Sequence, residues 1–355
     1  MNLKDIGYNA IINKYVEDNQ LDKSSIGRIV AVFRDMYTVK TDSDELKATN
    51  TGNLQNSIED KSELPIVGDW VCLNKYDDKN AFITQVIPRN NFIERRSIGK
   101  SVNKQVIAAN IDFGFIVEAI TENFNINRIE RYLAICNSAN VKPIILLTKI
   151  DLVTNRELMD TINDVNKRIE NVPIFAISNL TNTGLDELKA TLIKGKTYCL
   201  LGLSGVGKST LLNILAEKIV MKTSAISLRT NKGVHTTTHR ELFLLNNGSI
   251  IIDNPGMREV GITDSTSGVE ITFDKIFELA QDCHFSDCMH VHEKGCAVLR
   301  AVEEGNLDNA IYDNYIKMKK EQSHLQTTLI AKRKQDKAFS KMIKNVMKDK
   351  KNKKK

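Results

Sequence analysis

The run Gly202-Leu203-Ser204-Gly205-Val206-Gly207-Lys208-Ser209-Thr210 has the residue types and spacing of a phosphate-binding loop. Glycines at these positions let the backbone curl until its amide N–H groups face phosphate oxygens, and a following helix adds the positive end of its dipole. Lys208 then reaches the β- and γ-phosphates, where it serves turnover by neutralising developing charge, and the Ser209 hydroxyl is placed for Mg²⁺. Residues 197–201 read as the strand that feeds this loop and residues 210–218 as the helix that leaves it, the context that makes the motif specific.

Three further segments complete a nucleotide site. Ile250-Ile251-Ile252 runs into Asp253-Asn254-Pro255-Gly256, which supplies a carboxylate for the metal side of the site, Asp253 through water, and an amide, that of Gly256, for the γ-phosphate. Thr148-Lys149-Ile150-Asp151 follows another apolar strand. The Asp151 carboxylate accepts from both N1–H and the 2-amino group of guanine, and Lys149 packs its stem over the ring. Thr148 stands where an asparagine is usual, so one side-chain amide contact is missing, and Ile177-Ser178-Asn179 is a second base-contacting loop. Gly233-Val234-His235-Thr236-Thr237-Thr238 lies where a mobile switch belongs, with Thr237 completing the Mg²⁺ shell in the triphosphate state. Met257 stands where many such enzymes carry a water-orienting glutamine; a thioether cannot do that work, and His235 is the nearest substitute. The base-reading tetrapeptide precedes the phosphate loop, the reverse of the common order, so the domain reads as circularly permuted.

Cys283, Cys288 and Cys296 fall within fourteen residues that also hold His284, His290 and His292. Three thiolates and one imidazole close a tetrahedral structural zinc site, and metal explains the crowding better than disulfides. Cys72, Cys136 and Cys199 are scattered.

The elements around these motifs divide into three. Short β-like runs at 27–32, 36–40, 67–73 and 81–86 suit a small five-stranded barrel of OB type, although an SH3-like barrel reads almost the same. From 105 to 192 apolar strands alternate with amphipathic helices, the pattern of an α/β sheet covered on both faces, whose ligands bind at the carboxyl ends of strands. Helix 126–136 should bury Ile129, Leu133 and Cys136. Beyond Phe273 the pattern is helical, with 297–326 reading as one long charged helix. The expected units are 1–90, the barrel, whose RNA-binding role comes only from the resemblance given below; 91–265, the permuted GTPase domain; 266–345, a mainly helical zinc domain; and 346–355, a basic disordered tail.

A chain of 355 residues suits two or three cores. No apolar run reaches the length of a membrane span, and Met1 to Asp5 lacks the apolar stretch of a secretory signal, so a cytoplasmic protein with no membrane partner is expected. The formal net charge is +6, yet residues 332–355 alone carry twelve Lys or Arg against Asp336 and Asp349. Such a basic end suits contact with a polyanion.

Taken with Val67-Gly68-Asp69, Gln105-Val106-Ile107-Ala108-Ala109-Asn110, His235 to Thr238 and Gly295-Cys296-Ala297-Val298, these motifs in this order resemble the circularly permuted, small-subunit-dependent ribosome GTPases, the RsgA (YjeQ) family. The resemblance covers nearly the whole chain. It implies an OB domain, a permuted G domain and a zinc domain, GTP with Mg²⁺, one zinc ion, and late maturation of the small (30S) ribosomal subunit through its 16S rRNA, with subunit-stimulated hydrolysis; a monomer is the separate expectation. The family's zinc ligands fall on Cys283, Cys288, His290 and Cys296, and its switch histidine on His235. Thr148 and Asn254 depart from the family pattern. Two other classes are set against this one: a small-molecule phosphate-loop kinase, and a nucleic-acid-binding protein with a vestigial nucleotide site.

Overall fold

The computed structural model describes residues 2–33, 36–58, 60–96, 104–219, 240–253 and 266–323. His235, Thr237, Gly256 and the basic tail lie outside them.

Helix α1 (Ala10–Asp18), capped by the Asn9 side chain, precedes β1 (Ile26–Phe33), β2 (Met36–Lys40), β3 (Glu45–Asn50), α2 (Gly52–Ser57), β4 (Trp70–Lys75) and β5 (Asn80–Val86). The strands close in the order β1-β2-β3-β5-β4-β1, with β3 and β5 parallel and every other pair antiparallel. That is an OB-type barrel. Ile29, Val39, Leu46, Ala48, Val71 and Ile83 fill it. Strand β3 escapes the sequence pattern because Leu46 and Ala48 are its only inward apolar residues, set among Glu45, Lys47 and Thr49.

The hairpin of β6 (Phe92–Arg96) and β7 (Lys104–Ala109) leads into an α/β unit. It comprises β8 (Phe113–Ala119), α3 (Ile126–Ser138), β9 (Lys142–Thr148), α4 (Asn155–Arg168), β10 (Ile174–Ala176), α5 (Leu185–Ala190), β11 (Thr197–Leu201), α6 (Lys208–Leu215), β12 (Arg240–Leu244) and β13 (Ile250–Asp253). The strand order is β10-β9-β8-β11-β13-β12, parallel except for β12. Near-continuous apolar strands such as Ile144 to Leu147 are buried on both faces, as a covered parallel sheet requires. Ile129, Leu133 and Cys136 of α3 pack against the sheet as their spacing demands. Strand β12 also pairs with β1, Ala31 opposite Glu241 and Val32 opposite Arg240, so barrel and α/β sheet form one eleven-stranded surface.

Arg28 of β1 fastens the same junction. Its side chain is 1% exposed and stacks over Trp70, its carbon Cζ 5.7 Å from the ring centroid. The guanidinium donates to the carbonyls of Ile6 (2.7 Å), Gly68 (3.2 Å) and Asn110 (3.0 Å) and to Thr197 Oγ1 (3.0 Å). Burial pulls it down to about 10, with Asp112 and Asp69 opposing, so it stays charged at neutral pH.

Helices α7 (Thr266–Thr272), α8 (Asp274–Ala280), α9 (Ala297–Glu303) and α10 (309–323) form the third unit, with its own core around Phe273, Ile276, Val298, Tyr315 and Met318. The single long helix expected from 297 is two. Gly305 at φ +74° takes the left-handed conformation that ends α9, and the Asp308 carboxylate accepts from the Ala310 N–H (2.7 Å) to start α10. The unit docks on α3 at Gly268, where a Cβ would lie 2.2 Å from the Ala134 carbonyl. Glu130 of α3, buried, joins Arg168 of α4 (2.7 Å) and Asn314 of α10 at this contact.

Candidate functional site

Strand β11, whose five residues are all buried, delivers Gly202 to the loop, and α6 begins at Lys208. Gly202, Gly205 and Gly207 take φ of +147°, +84° and +100°. At Gly202 a side chain is excluded twice over, since a Cβ would also meet the Val117 carbonyl at 2.3 Å. Lys208 lies across the loop, its Nζ donating to the carbonyls of Gly202 (2.8 Å) and Leu203 (2.6 Å). Burial lowers this ammonium to about 8, while Asp253 and Glu118 pull the other way. Asp253 ends the neighbouring strand β13 and is 3% exposed. Ser204 and Ser209 are half-buried, and Thr210 sits in the first turn of α6.

The two loops that the sequence reads as base-contacting emerge from β9 and β10. Lys149 is left-handed (φ +60°), which turns the chain so that Asp151 is exposed. Ser178, wholly buried, donates from Oγ to Asp151 Oδ1 at 2.5 Å and accepts from the N–H groups of Leu180 and Thr181. The second loop thus aims the carboxylate of the first. Thr148 is fully buried; its hydroxyl faces the Val206 carbonyl (2.6 Å), holding the back of the phosphate loop. Sequence reasoning missed two residues here. Glu118, at the end of β8, is 1% exposed and bonded by Arg128; burial raises its carboxyl and Arg128 opposes that. Asn179 belongs to the loop the sequence reads as base-contacting, but the sequence gives no sign that its Nδ2 donates to the Gly207 carbonyl (3.0 Å).

In the third unit Cys283, Cys288, His290 and Cys296 bring one donor atom each within 4.8 Å of the others. Cys283 Sγ lies 3.9 Å from Cys296 Sγ and 3.6 Å from His290 Nδ1, and Cys296 Sγ lies 3.4 Å from the same nitrogen. Tetrahedral zinc bonds imply S···S edges of about 3.8 Å and S···N edges of about 3.5 Å. The donor set fits zinc, and His284 and His292 are outside it. The Glu293 carboxylate accepts from the N–H groups of Met289 (3.0 Å), Val291 (2.8 Å) and His292 (3.0 Å), which holds it down to about 2 and fixes the turn carrying His290. Glu293→Ala is expected to weaken zinc retention about tenfold. Competition with a colorimetric chelator measures it; equal release from both proteins would contradict the bracing role.

A phosphate loop at the end of a central parallel strand, with the Asp253 carboxylate ending the neighbouring strand, defines a phosphate-loop nucleotide-binding protein. Comparison with known proteins is more specific. The family model described as RsgA GTPase matches residues 86–263, and the chain belongs to that family. A second model, described as ABC transporter, matches 185–354, a span that contains the same phosphate loop. The protein named small ribosomal subunit biogenesis GTPase RsgA 1 from Bacteroides thetaiotaomicron is 35% identical over 99% of this chain and 98% of its own. The protein of the same name from Listeria innocua is 43% identical over 85% of this chain and 84% of its own. Among solved structures, YjeQ from Thermotoga maritima superposes with a TM-score of 0.62 at 27% identity, covering 84% of this chain and 98% of that one. YloQ, described as a circularly permuted GTPase, gives 0.61 at 26% over 84% and 95%. The protein is a GTP hydrolase, an activity that implies Mg²⁺ with the nucleotide. Neither alternative class finds support. Among the described residues no helix is long and apolar enough to cross a membrane.

Proposed function

We propose that this GTPase acts in the cytoplasm as a monomer on the small (30S) ribosomal subunit, gripping its 16S rRNA during late maturation and hydrolysing GTP faster when bound. The observation that carries this reading is the company the nucleotide site keeps: an OB-type barrel sharing one sheet with the GTPase strands, together with relatives named for small-subunit biogenesis. In the site, the amides of Gly202 to Thr210 and the Lys208 ammonium receive the phosphates, Asp151 and Ser178 with Thr148 and Lys149 form the guanine side, and the Gly256 amide, outside the described residues, would serve the γ-phosphate. Ser209, Asp253 and Thr237 would hold Mg²⁺, which would supply charge neutralisation on the phosphates, and His235 would orient the attacking water. Cys283, Cys288, His290 and Cys296 hold one structural zinc ion. The units are those at 1–90, 91–265, 266–345 and 346–355.

Permutation places the switch segments directly before the zinc unit, so loss of the γ-phosphate can move that unit through a short connector. The barrel and the basic C-terminal region grip rRNA in the triphosphate state, and hydrolysis loosens the grip. GTP turnover with purified small subunits is expected to rise at least about tenfold, a barrier change of about 1.4 kcal/mol, over turnover without them. Co-sedimentation should be stronger with a non-hydrolysable GTP analogue than with GDP. Equal turnover and equal sedimentation would sink the clamp.

A further inference from the structure

A carboxylate buried beside a phosphate-binding loop repels the ligand's own charge, so its presence needs a reason. Glu118 is such a group. It is 1% exposed at the end of β8, the strand paired with β11, where Ile116 stands opposite Leu201. One residue before it, the Val117 carbonyl lies against Gly202. Its own backbone carbonyl faces the Thr148 hydroxyl (3.4 Å), which also meets the Val206 carbonyl (2.6 Å). Residues 117 and 118 therefore wall the phosphate loop at Gly202 directly and at Val206 through Thr148. Glu118 and Lys208 are close enough for each to feel the other's charge.

The Glu118 carboxylate is held from α3. Arg128, in the first turn of that helix, places Nε 2.9 Å and 3.2 Å from the two oxygens and donates from Nη2 as well. The same Nη2 donates to the Asn123 carbonyl (2.6 Å), which fixes the turn entering the helix. A planar fork on a carboxylate sets orientation as well as distance. Along the rest of its length α3 carries the zinc unit. Asn314 of α10 donates to the Asn127 carbonyl (3.4 Å) and to Glu130, and Arg131 pairs with Glu321 of α10 (2.8 Å). Asn137 donates to Thr272 of α7 (2.9 Å), and Gly268 of α7 lies against the Ala134 carbonyl. One helix is thus bonded to the wall of the phosphate loop at its start and to the zinc unit over the following three turns, a contiguous route between the two.

We propose that Glu118 and Arg128 are positioning residues for GTP hydrolysis: the pair ties the wall of the phosphate loop to α3, so that the seating of the zinc unit sets the loop. It acts through the loop and not on the reacting atoms. Bound phosphates make many contacts and tolerate a small displacement of the loop, whereas charge developing in the transition state does not, so the effect falls on kcat. The test is single-turnover hydrolysis at saturating GTP by the full, zinc-loaded chain, with GTP affinity and a thermal melt measured on the same preparations. Arg128→Lys breaks the fork while leaving the Glu118 charge beside Lys208, Asn314→Ala loosens the zinc side, and the double variant does both. The expected result is that Arg128→Lys slows hydrolysis about tenfold with affinity within about threefold of the parent, that Asn314→Ala slows it about threefold, and that the double variant is no slower than Arg128→Lys, because both break one link. A parental rate in Arg128→Lys, a loss that appears wholly as weaker GTP binding, or losses that multiply in the double variant would overturn the proposal. Should either single variant lose its cooperative unfolding transition, Glu118→Gln replaces Arg128→Lys and Glu321→Gln replaces Asn314→Ala in the same cycle.

Discussion

Lys208→Ala loses GTP turnover by at least about a hundredfold while the nucleotide-free protein keeps its stability. The first half follows from what the ammonium does: no other side chain of the loop carries a positive charge, and removing one preorganised charge stabiliser from a reaction centre costs about 10²- to 10³-fold. The second half follows from where the ammonium sits. Burial depresses Lys208 to about 8, so at neutral pH the folded chain holds a charge in a place that disfavours it, with two loop carbonyls as its partners. Alanine gives up those two bonds and also the burial, and the terms oppose each other. Single-turnover kinetics and a thermal melt on one sample separate them. A variant that melts many degrees lower would mean that Lys208 props the loop mechanically; a variant that still turns over within tenfold of the parent would mean that Lys208 is not the phosphate-neutralising group.

The chemistry of this chain was more legible than its mechanics. A phosphate loop must have glycines where φ is positive and a lysine at one place, so Gly202, Gly205, Gly207 and Lys208 announce themselves in one dimension. The strands that carry them are apolar on both faces and equally plain. Strand β3 was not, because a barrel strand with only Leu46 and Ala48 pointing inward looks like a polar loop. The break between α9 and α10 rests on one left-handed glycine in a run otherwise fit for a helix. Asn179 and Glu118 stayed hidden for a different reason. Each acts through a partner on a different element, Gly207 for Asn179 and Arg128 for Glu118, and no helix or strand periodicity records such a contact. The pairing of β12 with β1 is likewise long-range: Arg240 and Glu241 read as polar residues at the start of a short strand, and nothing in them names Val32 and Ala31 as neighbours.

The same blindness applies to Arg28, whose replacement by methionine is expected to lower stability by about 3–5 kcal/mol. In sequence it is one basic residue at the start of a strand, where the ordinary expectation is a side chain facing solvent. In the fold it is buried among neutral acceptors contributed by four separate segments: the N-terminal turn through Ile6, the entry to β4 through Gly68, the end of the β6–β7 hairpin through Asn110, and the first residue of β11 through Thr197. Methionine roughly fills the aliphatic stem but leaves the three carbonyls and a hydroxyl without their donor. Lysine keeps the charge but has a single nitrogen, which cannot span acceptors on opposite sides of a planar fork, so Arg28→Lys should recover only a minor part of the loss. The guanidinium joins barrel to nucleotide sheet alongside the two β1–β12 residue pairs, the Ala109 N–H to Val67 carbonyl bond and the packing of Val30 and Val67 into the α/β core, and β11 runs from Thr197 straight into the phosphate loop. Urea unfolding followed by Trp70, the chain's only tryptophan and the ring beneath Arg28, should therefore separate in the variant from unfolding followed by protection of bound nucleotide, where the parent shows one transition. Coincident curves displaced by less than about 1 kcal/mol would show that water replaces the guanidinium at little cost, and that the remaining contacts carry the coupling.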